Sequence, residues 1–206
     1  MKKIIVFMVI SLLGIFGTRA GNNYKLSANV GVGVSGWIGA DAENTDSQFA
    51  YRLGMAIDFP ISTMWGFETG LNFEGIGASY DDSFFSSAEI DVHQLCLEIP
   101  LMATYRFGIG ENLGIKCNAG PYLGIGVGGK TKGTLKGLGS ESVNSFGDIE
   151  DGCLGLRRFD FGIGFGVGLD LRRFTIGLDT RFGLTSLARH TSIHNFGVFV
   201  NAGYSF

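Results

Sequence analysis

The residues from Gly124 to Thr131, Gly-Ile-Gly-Val-Gly-Gly-Lys-Thr, match the phosphate-loop pattern letter for letter. In such a loop the backbone amides and the lysine hold nucleotide phosphates, and the threonine hydroxyl ligates magnesium. A helix must begin directly after the loop, yet residues 135–152 are rich in Gly and Ser and have no apolar period of 3.6 residues. The Gly31 to Gly36 stretch matches the dinucleotide fingerprint but lies inside an alternating segment. We therefore predict glycine packing within strands, and no cofactor.

Ser186, His190 and His194 are the residues that the sequence places together for nucleophilic or acid–base chemistry. Neither a nucleophile elbow nor a zinc-binding helix surrounds them. His93 adds a third imidazole for a surface metal site, but no cysteine or carboxylate cluster joins the histidines. We predict solvated loop histidines, no metal and no enzyme, with a lipid- or peptide-hydrolysing enzyme as an alternative.

The three cysteines are predicted to form no disulfide bond. Cys96 falls on the polar face of one predicted strand and Cys117 on the apolar face of the next, so their side chains point apart. Cys153 lies in a long segment without an obvious partner. Free thiols are the prediction.

Strict alternation of apolar and polar residues dominates the rest of the chain. The last strand places Phe196, Val198, Val200, Ala202, Tyr204 and Phe206 on one face, and Phe199 alone breaks its polar face. A period of two residues is typical of β-strands with different surroundings on their two faces. Eight such strands are predicted, at residues 24–38, 49–59, 65–73, 95–107, 113–127, 159–171, 174–184 and 195–206.

The connections between these strands suggest how they close. The second, fourth and sixth are short, whereas the first, third, fifth and seventh are longer and polar. Short periplasmic turns alternate with longer outer loops in transmembrane barrels, and eight strands suffice for a closed one. The predicted fold is all-β, an eight-stranded antiparallel up-and-down transmembrane β-barrel with both termini in the periplasm.

The polar face decides between a membrane barrel and a soluble, lipocalin-like barrel with an apolar interior. It carries charges of both signs interleaved with glycine, while the other face is a broad band of Phe, Leu, Ile and Val. Charged side chains inside and lipid outside fit a membrane barrel. Pairing about the turn near Ser62 brings Arg52 close to Glu74, and Glu98 similarly approaches Tyr122. We predict a lumen plugged by a polar network of Arg52, Glu68, Glu74, Glu98, Asp179 and Arg181.

Two prolines fit this pattern poorly. Pro100 and Pro121 lie inside the fourth and fifth strands, where a missing N–H removes a ladder bond. They approach one another when the strands fold about the 108–112 turn. We expect a local β-bulge there, with a functional kink as the alternative.

The N-terminus indicates export. Lys2 and Lys3 precede an apolar run at residues 4–16, and small residues follow near Ala20. We predict a signal peptide at residues 1–20 and a barrel domain at 21–206, since the run is short of the roughly 20 residues of a membrane helix. Cleavage takes the formal charge from −3 to about −6, which favours no nucleic-acid partner.

Several short motifs resemble the PorT-like family of small outer-membrane β-barrel proteins. They are Leu97-Glu-Ile-Pro-Leu101, Tyr105-Arg-Phe107, Gly120-Pro-Tyr-Leu-Gly124, the Gly-rich 161–170 strand and the Gly203-Tyr-Ser-Phe206 end. The resemblance implies insertion into the bacterial outer membrane by the barrel-assembly machinery, with Tyr204 and Phe206 as the assembly signal. It also makes the two prolines family features. Some members of that family are linked to protein secretion.

These observations predict a structural or surface-binding role through the outer loops. The 130–157 loop is longer than an idle connection needs, and its Lys130, Lys132 and Lys136 suit anionic partners. Expected partners are outer-membrane lipid, lipopolysaccharide or another envelope protein. Disorder explains the loop length equally well. A narrow passive, porin-like channel is the alternative function.

Overall fold

Nine β-strands make up the fold in a computed structural model that describes residues 24–43, 45–81, 88–110, 112–135, 139–147, 153, 155–188 and 191–206. The strands are β1 (Lys25–Ile38), β2 (Thr45–Pro60), β3 (Trp65–Asp81), β4 (Ala88–Gly110), β5 (Leu113–Leu135), β6 (Gly139–Asn144), β7 (Phe159–Leu171), β8 (Phe174–Gly183) and β9 (His194–Ser205). Among the described residues, no helix is long and apolar enough to cross a membrane.

Eight of the strands form a closed antiparallel ring. Its order is β1, β2, β3, β4, β5, β7, β8, β9, and β9 pairs with β1 from Ser27↔Ser205 to Ile38↔His194. The ninth strand, β6, pairs only with the far end of β5. The predicted eight-stranded barrel is confirmed.

The barrel has two distinct ends. The start of β1, the end of β9 and the turns after β2, β4 and β7 lie at one end of the barrel, which we call the termini end. The opposite ends of the same strands lie at the other end of the barrel, which we call the loop end. β4 and β5 each have 23 residues, about twice the 9–11 that cross a bilayer. They therefore continue well past the barrel wall at the loop end.

The 130–157 segment was expected to be a loop, and that expectation is wrong in part. β5 continues to Leu135 and turns back as β6, with pairs from Lys130↔Asn144 to Leu135↔Gly139. Sequence periodicity missed β6 because Gly, Ser and Asn replace the apolar residues that normally mark a strand.

The apolar face points outward, which excludes the lipocalin-like alternative. Large apolar side chains are highly exposed all around the barrel, including Phe49 at 69%, Leu53 at 53%, Val200 at 55% and Ile176 at 54%. At the termini end, aromatic rings pack edge to face in the pairs Trp65–Tyr105, Phe174–Tyr204 and Tyr204–Phe206. An apolar band bordered by aromatic rings is typical of a barrel surrounded by lipid.

The predicted bulge at the two prolines is absent. The β4–β5 register is the same on both sides of them, from Pro100↔Tyr122 to Ala103↔Ala119. The ladder simply lacks two pairs there, and the hydroxyl of Thr69 donates to the Pro100 carbonyl at 2.8 Å. The two register shifts of this strand pair lie elsewhere, between Leu95 and Cys96 and between Gly108 and Gly110.

Candidate functional site

The interior of the barrel is the candidate site, and a charged layer fills its middle. Arg181 on β8 contacts Glu74 of β3, and its Nη1 lies 3.0 Å from Oε2 of Glu98 on β4. Arg52 on β2 lies 2.6 Å from Glu74 and 3.4 Å from Asp179 of β8. Because these strands lie on different sides of the ring, the contacts span the lumen. We call Arg52, Arg181, Glu74, Glu98, Asp160 and Asp179 the charged layer.

Neutral polar groups complete the layer. Asp160 of β7 accepts from the Tyr122 hydroxyl at 3.2 Å and from the Asn195 amide at 3.1 Å, and lies 3.4 Å from Arg181. Asn72 donates to Glu98 at 3.1 Å. Buried charges require such partners, because an ion without them loses its hydration uncompensated. The layer contains two arginines and four carboxylates, a formal excess of two negative charges.

Two aromatic rings support the arginines. The Arg52 guanidinium lies 4.3 Å from the centre of the Phe199 ring, and that of Arg181 lies 4.7 Å from the centre of the Tyr122 ring. Both rings are fully buried. Phe199, the one residue that broke the alternation of the last strand, therefore faces the lumen as a platform for a cation.

An apolar cluster lies at the loop end of the lumen. Phe146, Leu156 and Leu187, all from connections between strands, are buried against Ala50, Ile76, Val92, Cys96 and Phe199 of the barrel wall. We call these three connection residues the apolar plug. The Phe146 ring lies directly on Gly126, where any side chain would collide with it. The plug was not predicted, because isolated apolar residues in a polar segment carry no periodic signal.

Hydrogen bonds fix the plug to the wall and join its two segments. Ser145, fully buried, donates to the His93 carbonyl at 2.9 Å and lies 3.0 Å from the Thr131 hydroxyl. The amide of Leu156 bonds the Ser145 carbonyl, and that of Arg157 bonds the Leu187 carbonyl at 2.7 Å. The connections after β6 and β8 are thus joined by backbone hydrogen bonds.

A polar cavity of about 290 Å³ occupies the half of the lumen toward the termini end. It extends from Arg52, Glu98 and Arg181 at its inner limit to Lys25 and Arg173 at the barrel mouth. Along its wall Arg106 pairs with Asp58, and Lys116 pairs with Glu68. Gly66 leaves room for the Arg106 side chain to pass over β3. The lumen thus contains a cavity, the charged layer and the plug in series.

The structure groups five of the six residues predicted for the lumen network. Arg52, Glu74, Glu98, Asp179 and Arg181 lie together, whereas Glu68 pairs with Lys116 nearer the termini end. Asp160 and Asn195 join the layer but were missing from the predicted network, and Tyr122, which was expected beside Glu98, donates its hydroxyl to Asp160. The sequence could have indicated these residues through their position on the inward face of their strands.

The other candidate residues lie apart from the charged layer. Lys130 and Lys132 lie on β5 rather than in a loop, and Lys136 lies outside the described residues. His190 also lies outside them, and no hydrogen bond among described residues joins Ser186 to His194. Gly124 to Thr131 is extended strand, which rules out a phosphate loop. Within the described ranges no group of His, Cys, Asp or Glu is placed to hold a metal, and the three cysteines are unbridged.

A closed antiparallel ring with charges inside and an apolar band outside defines an integral membrane β-barrel. The family described as outer membrane protein beta-barrel domain matches residues 14–189. The chain belongs to this family and is an outer-membrane β-barrel protein. No curated protein sequence matches the chain.

Several solved structures are similar to the barrel. Ail of Yersinia pestis is 18% identical over 88% of this chain and 98% of its own, with a TM-score of 0.41. OprG of Pseudomonas aeruginosa is 10% identical over 89% and 95%, with a TM-score of 0.47. Neisserial surface protein A is 9% identical over 91% and 100%, with a TM-score of 0.46.

Proposed function

We propose that the protein is a closed, non-conducting and non-enzymatic outer-membrane barrel with a structural or surface-binding role. The observation that carries this proposal is the presence of two barriers in series, the apolar plug and the charged layer. Phe199 links the two barriers, since it belongs to the same buried cluster as the plug and its ring lies 4.3 Å from the Arg52 guanidinium. A barrel with such an interior holds its shape without transporting solute, and its loop end remains free for contacts.

The proposal includes a route to the membrane. Residues 1–20 act as a cleaved signal peptide, and the barrel-assembly machinery recognises the last strand through Tyr204 and Phe206. The termini end then faces the periplasm and the loop end faces outside. The outward position of both aromatic side chains at the edge of the apolar band supports this role.

A finer placement in the PorT-like group, and a link to protein secretion, rest on the sequence motifs alone. The inward-facing Pro100 and Tyr122 of those motifs lie opposite each other in the β4–β5 ladder. A secretion partner would meet the barrel at the cavity mouth or at the loop end. Co-purification of the intact barrel with envelope proteins after cross-linking in cells tests this part.

Planar-bilayer recordings of the purified barrel test the closed lumen. We expect no stepwise conductance from the folded protein. Steady single-channel steps would replace the proposal with a narrow passive channel, which the 290 Å³ cavity favours as the second candidate. Hydrolysis of lipid or peptide by the same preparation would overturn the non-enzymatic part.

A further inference from the structure

A single extra residue in β5 decides which way Lys130 and Lys132 point. Leu95 pairs with Gly128 and the adjacent Cys96 pairs with Gly126, so Val127 has no partner on β4. Before this bulge the even-numbered residues Tyr122, Gly124 and Gly126 face the lumen, but after it Thr131 is the buried one, at 4% exposure. Bulges re-aim side chains in this way. Lys130 and Lys132 are therefore exposed on the outer surface.

The neighbouring strands surround the two lysines with polar groups. His93 lies opposite Lys130 on β4, and Asn144 lies opposite it on β6. Both side chains are exposed. Asp91 lies opposite Lys132, but its Oδ1 already accepts from Gln48 at 2.7 Å and from Ser79 at 2.7 Å. No salt bridge between described residues includes either lysine.

The patch formed by Lys130, Lys132, His93 and Asn144 lies immediately beyond the apolar band on the outer surface of the barrel, which we call the belt. Ile125 and Val127 of β5 are 50% and 39% exposed, and the neighbouring Phe159 of β7 is 53% exposed. Lys130 lies three residues past Val127, or about 10 Å at the rise of a β-strand. A lipid whose acyl chains cover the belt places its headgroup at this height.

We propose that Lys130 and Lys132, with His93 and Asn144, bind the phosphate of a glycolipid in the outer leaflet. The inference rests on the proposed outward orientation of the loop end. Two ammonium groups supply charge-assisted bonds to phosphate oxygens, and the amide and imidazole supply further donors. The belt below selects a phosphate that is attached to a lipid rather than a free one.

Native mass spectrometry of the intact barrel in detergent tests the site with bisphosphorylated lipid A as the probe. The K130Q/K132Q variant should bind about tenfold more weakly, since two exposed ion pairs contribute roughly 0.7 kcal/mol each. R172Q/R173Q removes the same charge at the termini end and should bind like the wild type. Lipid A stripped of phosphate should bind the wild type as weakly as lipid A binds K130Q/K132Q.

Three results would overturn the site: unchanged binding by K130Q/K132Q, equal loss with R172Q/R173Q, or equal binding of the stripped lipid. If inorganic phosphate displaced lipid A from the barrel at an equal concentration, the apolar belt would have no role in binding. A barrel that is folded and non-conducting but binds no lipid A contradicts this inference alone. A conducting barrel that still shows the lysine-dependent binding contradicts the closed lumen alone.

Discussion

Arg181 and Glu98 meet across the lumen, with Nη1 of the arginine 3.0 Å from Oε2 of the glutamate and both side chains 3% exposed. They belong to β8 and β4, which are separated in the ring by β5 and β7. Backbone ladders join only neighbouring strands, so this contact ties together walls that no hydrogen-bonded pair connects. The charged layer therefore links opposite walls of the barrel through side chains alone.

Replacing Arg181 by methionine should destabilise the barrel strongly. Glu74, Glu98 and Asp160 would all lose a buried cationic partner, and breaking a buried ion pair costs about 3–5 kcal/mol. Urea unfolding in detergent micelles measures the loss. R173M, at an exposed position near the termini, is the control. A loss no larger than that of the control would show that the layer does not stabilise the fold.

A second substitution, Glu98→Gln, tests the same layer through the direction of its effect on stability in two backgrounds. Glu98→Gln should destabilise the wild type, since the glutamate contacts both arginines. In the R181M background the same change should raise the unfolding midpoint, because it removes a buried charge that has lost its main partner. If the losses of unfolding free energy in the two single variants simply added up in the double variant, this coupling would be contradicted.

Gly126 should control access to Cys96. A valine at Gly126 would collide with the Phe146 ring and displace the plug, which covers the buried Cys96 thiol. In a C117S/C153S background we expect a water-soluble maleimide to label Cys96 at least several-fold faster in G126V. Gly133→Val is the matched control, since a Cβ at that position meets no atom within 4 Å. Equal labelling rates in both variants would argue against a plug that shields this thiol.

The two barriers should act in series on conductance. Replacing Phe146, Leu156 and Leu187 together by alanine removes the plug but leaves Arg52 and Arg181 across the lumen. We expect this variant to remain silent in planar bilayers and to conduct only when Arg181→Ala is added. Conductance from the plug variant alone would show that the charged layer is no barrier.

Phe206 should matter for assembly more than for stability. Its side chain is 69% exposed beside Tyr204, so Phe206→Ala removes little packing. We expect normal heat-modifiable migration after refolding in detergent but a several-fold lower folded yield in the outer membrane of cells. Phe174→Ala, in the same aromatic cluster and 60% exposed, is the control. An equal loss of yield in both variants would remove the special role of the last residue.

The sequence predicted the barrel because each wall strand repeats its environment every second residue. Arg52 and Glu74 could be paired from the turn at residues 61–64 alone, since neighbouring strands fix the register. Glu68 could not be assigned to Lys116, because the contact skips over β4 and depends on side-chain reach across it. The outward turn of Lys130 was equally hidden, since one unpaired residue, Val127, reverses the alternation without any change in composition.

The seam between β1 and β9 joins residues at opposite ends of the chain, from Ser27↔Ser205 to Ile38↔His194. During folding β1 therefore has one free edge until β9 pairs with it, and a free edge is prone to pair with other chains. Contacts as distant as Arg52 with Asp179 also form late, because closing long loops is slow. Closure of the ring thus joins the first strand to the last, and the chain is most vulnerable to aggregation before this seam forms.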